Sequence, residues 1–243
     1  MTARLYCGVP LSAGAEIALP EAAAHHAARV LRLKAGDEVT LFNGEGGEFA
    51  ARLDRIEGRH VIARIGAWID VERESPLAVT LVQGIAAAER MDVAIQKAVE
   101  LGVSRIQPVT TVRSVTRLDA ARAQKRLMHW RQVAISACEQ CGRNRLPEVL
   151  IPVDLDAWLR APSAASLRLL FAPAAPRPVA TLTRPSGPIE CLIGPEGGLD
   201  AHESTAARAA GFHEVSIGPR VLRTETAGMA ALATLNALWG DFR

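Results

Sequence analysis

Three absences narrow the chain before any motif is read. No long uncharged apolar run and no charged-then-apolar leader occurs, so neither a helical membrane span nor a secretory signal is expected, and a soluble cytoplasmic protein is. The four cysteines, Cys7, Cys138, Cys141 and Cys191, fall at spacings that make no disulfide framework. The Cys138-x-x-Cys141 pair also lacks the second pair that a zinc site needs. Net charge is nearly missing as well: 28 Lys and Arg against 26 Asp and Glu leave +2, less than many nucleic-acid binders carry. What remains is ordinary globular material, 243 residues, 49% hydrophobic and 22% charged. That is enough for one large or two modest domains and too apolar for a disordered chain.

Charge nevertheless clusters. Arg105, Arg113, Arg117, Arg122, Lys125, Arg126 and Arg131 are met by one acid, Asp119, with Arg143 and Arg145 beyond. That density suits the neutralisation of RNA phosphates, and it equally suits a solvated helix face.

Residues 1–70 read as a small β-rich domain, a barrel. The runs Glu38-Val39-Thr40-Leu41-Phe42 and Glu48-Phe49-Ala50-Ala51-Arg52-Leu53 flank the turn-forming Asn43-Gly44-Glu45-Gly46-Gly47, a hairpin signal. A further strand is expected over residues 60–65 and a short helix over 21–33. Adjacent His25 and His26 point different ways on a helix and have no acidic or cysteine partner at ligand spacing, so no metal is expected. Arg29 and Arg32, three apart, share a helical face suited to phosphate or to structural ion pairs.

Residues 71–76 read as a linker, and the pattern then changes over 71–243. A strand at 79–83, a helix at 91–101, a strand at 103–109, a basic helix at 119–141, a strand at 148–153, a helix at 155–159 and a strand at 167–172 alternate. That alternation predicts an α/β domain with a largely parallel sheet and helices on both faces.

Near the end, one plan occurs twice. The apolar run Ile189-Glu190-Cys191-Leu192-Ile193 leads through Gly194-Pro195-Glu196-Gly197-Gly198-Leu199 into a helix whose Asp200 and Glu203 have capping-box spacing. Val215-Ser216-Ile217 leads through Gly218-Pro219-Arg220-Val221-Leu222-Arg223 to Thr224, read as the N-cap of a helix with Met229, Leu232, Leu235 and Trp239 on one face. Glycine loops at strand carboxyl ends point to a ligand crevice. Neither loop ends in the Gly-Lys-Ser/Thr of a P-loop or spells G-x-G-x-x-G, so an adenosine-bearing ligand held by backbone groups is expected rather than a triphosphate.

These two segments, with Arg223-Thr224-Glu225-Thr226-Ala227, resemble the paired carboxyl-terminal signature of the RsmE family of SPOUT methyltransferases. His25-His26 with Arg29-Val30-Leu31-Arg32; Arg90, Gln96, Lys97, Glu100, Leu101 and Gly102; and Glu139, Gln140 and Arg143 also match that family's pattern. The resemblance implies an amino-terminal PUA-like domain that grips RNA and a methyltransferase domain closed by a carboxyl-terminal trefoil knot. It implies a homodimer and methylation by S-adenosylmethionine of N3 of uridine 1498 of 16S ribosomal RNA in the small subunit. It places the cofactor against Phe171, Ala172, Gly194, Pro195, Glu196, Gly197, Gly198, Ile217, Gly218, Leu222, Thr226 and Ala227. RNA is assigned to Arg29, Arg32, Arg113, Arg143 and Arg220. Many relatives carry a glutamate in the loop after Leu170, where this chain has Phe171-Ala172-Pro173.

Methyl transfer from a sulfonium needs the carbon in line between sulfur and nucleophile, so positioning supplies most of the catalysis. Loss of the uracil N3 proton puts negative charge on O2 and O4. Arg223 is the candidate to stabilise that charge, with Glu225 to accept a proton or orient the arginine; both residues also suit a plain helix start. Ribose 2′-O methylation on the same fold and a non-catalytic RNA-binding assembly factor are the competing readings. The small residues Ala227, Ala230, Ala231 and Thr234, at helical spacing, form the expected dimer face.

Overall fold

The structure is a computed structural model that describes residues 2–114 and 119–242. Arg117 of the basic cluster lies outside the described residues. The chain forms two compact units, Met1–Glu74 with Ile135–Leu146, and Ser75–Ala134 with Pro147–Arg243. No described helix is long and apolar enough to cross a membrane.

In the first unit, β1 (Ala3–Tyr6), β2 (Glu16–Ala18), β3 (Glu38–Phe42), β4 (Glu48–Glu57) and β5 (His60–Ile69) form one sheet in the order β1-β3-β4-β5-β2. The hairpin forms where its turn residues place it: the Asn43 side-chain oxygen accepts the Glu45 amide at 3.1 Å, an Asx-turn, and Leu41 pairs with Phe49. Alternate residues such as Val39, Leu41, Leu53, Ala63 and Ile65 point into one core with Leu5 and Leu19, the period-2 consequence of a half-buried sheet. The helix expected over 21–33 is shorter and broken. α1 (Glu21–His25) passes into a π-turn, His26–Val30, where the Leu31 amide reaches back to the His26 carbonyl. Arg32 then takes a φ of 54°, a left-handed residue that ends the helix.

The second unit contains β6 (Val79–Gly84), α2 (Ala88–Glu100), β7 (Arg105–Thr110), α3 (Ala120–Cys141), β8 (Glu148–Val149), β9 (Val153–Asp154) and α4 (Leu155–Leu159). β10 (Leu167–Phe171), β11 (Ile189–Ile193), α5 (Ala201–Ala209), β12 (His213–Val215) and α6 (Thr224–Trp239) complete it. The last turns of α3, from Ile135, group with the first unit. The sheet order is β12-β10-β11-β6-β7-β8, with β9 also on β7, and every pairing is parallel. Val82, Leu170 and Leu192 pack with Leu155, Leu159, Ala207 and Phe212, so α4 and α5 cover one face. α6 covers the other, where its Gly228 meets Leu81 and Gln83, and α2 packs beside α6.

Two strand expectations shift. The strand placed at 148–153 is two short strands broken around Pro152, which has no amide to donate to a ladder. The strand placed at 215–217 is β12, which ends at Val215. The register sets Ile193 beside Gln83, and a Cβ on Gly84 would lie 2.5 Å from the Pro195 nitrogen. Only glycine allows the ends of β6 and β11 to approach so closely.

Candidate functional site

The carboxyl ends of β10, β11 and β12 open into a cavity of about 580 Å³. Its walls are Phe171 and Ala172 at the end of β10; Gly194, Pro195, Glu196, Gly197 and Gly198 after β11; Ile217, Gly218, Arg220, Leu222 and Arg223 after β12; and Ala227 of α6. Three loops far apart in sequence thus converge on one hollow, as the strand order requires of the carboxyl edge of a parallel sheet.

The Gly194–Leu199 loop is braced from several directions. The Glu196 carboxylate accepts from the Ala87 amide at 2.9 Å and from Arg90 at 3.1 Å. Burial works against that charge, but the Ala87 and Arg90 hydrogen bonds outweigh it and hold the carboxyl below its ordinary pKa. Arg113 donates to the Gly197 carbonyl at 2.8 Å. The Gly198 amide closes on the Pro195 carbonyl at 2.8 Å, and Gly198 sits at a φ of 67°, where a β-branched residue is strained. Below the loop the capping box forms as its spacing predicts, Glu203 N–H to Asp200 at 2.7 Å and Asp200 N–H to Glu203 at 2.9 Å. The other Glu203 oxygen accepts the Val112 amide at 2.7 Å.

The start of α6 differs from expectation. Arg223 is the N-cap residue and makes no side-chain cap. Thr224 is inside the helix and buried, and its hydroxyl donates to the Gly194 carbonyl at 2.6 Å instead of capping. Thr224 and Ala227, three apart, share the helix face turned to the cavity. Thr226 and Glu225 are on other faces and do not line it. Glu225 makes no bond to Arg223, and its Oε2 is buried without a partner among the described residues, so the orienting contact expected between them is not formed.

The basic residues separate into two kinds. Arg220 and Arg223 line the cavity and are exposed, and their guanidinium groups have no ion pair or hydrogen-bond partner among the described residues. Arg29 and Arg32 are likewise exposed on the first unit. Arg143, by contrast, is 3% exposed and clamps Glu74 through two nitrogens. Burial opposes its charge, but the Glu74 carboxylate overcomes that and raises its pKa. An internal ion pair, not an RNA contact, is therefore what Arg143 provides. Arg113 is exposed but committed to the Gly197 loop. The thiol of Cys138 is buried and its pKa is pushed up to about 12, so it carries no thiolate at neutral pH.

Sequence reasoning matched Arg90 to the family pattern without placing it in the site, and missed the Thr224 hydroxyl as part of it. Arg90 carried a signal, as the one basic residue in the first turns of α2; Thr224 was concealed by its resemblance to an ordinary cap.

The RNA methyltransferase domain family matches residues 73–236, and the RNA methyltransferase PUA domain family matches residues 19–66. The chain is 33% identical over 239 residues to ribosomal RNA small subunit methyltransferase E of Buchnera aphidicola from Schizaphis graminum, covering 98% of this chain and 97% of that one. It is similar along 100% of both chains to the crystal structure of a ribosomal RNA small subunit methyltransferase E from Neisseria gonorrhoeae bound to S-adenosyl methionine, at 40% identity and a TM-score of 0.92. A Legionella pneumophila protein in complex with the cofactor SAM superimposes at a TM-score of 0.96, with 39% identity and 100% of both chains covered.

Proposed function

The chain belongs to the ribosomal RNA small subunit methyltransferase E family of RNA methyltransferases, and we propose that it moves a methyl group from S-adenosylmethionine to N3 of uridine 1498 of 16S ribosomal RNA. The observation that carries this reading is the cavity itself: a backbone-rich hollow at the carboxyl edge of a parallel sheet, with two unpaired arginines on its lining. Leu170, Ile193 and Val215 give it apolar walls that fit an adenosine, and the glycine loops bring backbone groups within reach of one.

The cofactor, when bound, supplies an electrophilic methyl on a sulfonium. The chain's own contribution is positional. The braced Gly194–Leu199 loop fixes one side of the cavity, so orientation is set before RNA arrives. The Arg223 side chain, uncommitted to any described residue, meets the negative charge that N3 deprotonation spreads onto the uracil oxygens. Arg220 holds a neighbouring phosphate, and Arg29 and Arg32 of the PUA-like unit bind further RNA. We assign the work to the cytoplasm and to a homodimer. Ala230 and Thr234 of α6 stay partly accessible for a partner, while Ala227 faces the cavity and Ala231 is buried within the chain. Sedimentation at micromolar concentration is expected to give a dimer; an active monomer would remove that part.

The site of methylation is read by primer extension. A methyl on N3 removes the Watson-Crick donor, so reverse transcriptase should stop one nucleotide before a single uridine of small-subunit RNA even with abundant nucleotides, and deleting the gene should erase the stop. A stop seen only when nucleotides are scarce would mean ribose methylation. No difference between strains would remove this RNA as substrate.

A further inference from the structure

We propose that Gln83 is a positioning residue for cofactor binding, acting through the Thr224 hydroxyl on the Gly194 carbonyl. The inference rests on the reading of the cavity as the S-adenosylmethionine site. Gln83 lies in β6, a central strand of the sheet, and is fully buried. Its Nε2 donates to the Gly84 carbonyl at 3.0 Å and to Thr224 Oγ1 at 2.8 Å. Thr224 Oγ1 donates onward to the Gly194 carbonyl at 2.6 Å.

The direction of this relay is fixed by chemistry. Carbonyl oxygens only accept, and a hydroxyl has one proton. With that proton on Gly194, Thr224 must receive from Gln83, and the amide nitrogen must also face Gly84. The amide oxygen is then left pointing the other way, buried and without a partner among the described residues. It faces α6, where a Cβ on Gly228 would stand 3.4 Å from it. A buried orphan acceptor is a cost that an apolar side chain of the same length would not incur. The role of a glutamine here is therefore found in its nitrogen, which ties β6 and α6 to the first residue of the loop after β11. The braces supplied by Glu196 and Arg113 come from loop and helix residues at the surface, whereas this one is inside and beyond the reach of solvent screening.

A purely structural role would alter melting temperature without a matching change in cofactor affinity, so both are measured. S-adenosylmethionine is titrated calorimetrically into wild type, Gln83→Met, Thr224→Val and the double variant, with thermal unfolding of each. Loss of one hydrogen bond in the relay should weaken affinity about tenfold in each single variant. Because the bonds act in series, the double variant should be no weaker than the worse single variant. In Gln83→Met, whose side chain does not line the cavity, turnover at saturating cofactor should stay within about twofold while KM for cofactor rises. Thr224→Ser, which keeps the hydroxyl, should recover most of the affinity lost in Thr224→Val. A folded Gln83→Met with wild-type affinity, or penalties that multiply in the double variant, would overturn the relay. If Gln83→Met does not fold, equal affinities for Thr224→Val and Thr224→Ser would overturn it and a gap between them would support it. Wild type that binds no S-adenosylmethionine would take down the cofactor reading and the relay together, whereas binding by wild type and all variants alike would remove the relay alone.

Discussion

The two glycine-proline loops follow the same plan in sequence and are held in opposite ways. Gly194–Leu199 is tied by Glu196 to α2, by Arg113 to the turn after β7 and by Thr224 to α6. Residues 217–222 make no hydrogen bond or ion pair with any described residue, and Val221 is 81% exposed. The difference lies in the side chains at equivalent places. After the first glycine-proline comes a carboxylate that reaches an amide and an arginine; after the second comes Arg220, with no acid to meet. Under the proposed function, the braced loop is a preformed wall for a small ligand of constant shape, and the unbraced loop leaves its arginines uncommitted for RNA. Preorganisation on one side lowers the ordering cost of cofactor binding, while the other side keeps donors that form their bonds with the substrate.

Changes in each loop should therefore have different signatures. The largest effect is expected in the unbraced loop: Arg223→Ala should lower methyl transfer about 100- to 1000-fold, the usual loss for a donor that meets transition-state charge, measured as label transferred to small-subunit RNA. Next comes Gly198→Val in the braced loop. A Cβ there meets nothing within 4 Å, so the strain is that of a β-branched residue at positive φ, about 1–3 kcal/mol. Calorimetry should show cofactor affinity at least about tenfold weaker in a folded protein; unchanged affinity would mean that this loop does not hold the cofactor. The smallest effect is that of Glu196→Gln, which keeps an acceptor for Ala87 and loses the charge facing Arg90, a change of about 1 kcal/mol or less at this partly exposed pair. Its pH dependence gives a sharper reading. The Glu196 pKa is depressed by the folded structure, so its stabilisation is fully present above the ordinary carboxylate range and is lost as pH falls through the lowered folded value. Wild-type affinity should hold through the usual carboxylate range and drop below it, and Glu196→Gln should lack that drop.

Most of the fold could be read from alternation. Val79–Gly84, Leu167–Phe171 and Ile189–Ile193 are apolar runs bounded by turn residues, buried on both faces as a parallel sheet demands. The capping box at Asp200 and Glu203 was legible because its partners are three residues apart. What was hidden is long-range. Arg143 has the appearance of an RNA contact until the fold sets Glu74 against it, 69 residues away. Thr224 has the appearance of a cap until Gln83, 141 residues away, is seen to need its hydroxyl. The helical phase of α6 likewise turns Thr226 away from the cavity that Ala227 lines, a distinction of one residue that motif matching does not make. The return of Ile135–Leu146 to the first unit left no mark in composition; it rests on long-range polar contacts, such as the Tyr6 amide on Glu139 at 3.0 Å and the Asn144 side-chain amide on the Val71 carbonyl at 2.9 Å.

One titration tests the division of labour most directly: S-adenosylmethionine into Arg223→Ala protein, beside the same protein's methyl transfer. If the arginines beside the unbraced loop serve the RNA and the braced loop holds the cofactor, affinity should stay within about twofold of wild type while transfer falls by two orders of magnitude or more. An affinity loss as deep as the loss of transfer would make Arg223 part of the cofactor wall and contradict the account.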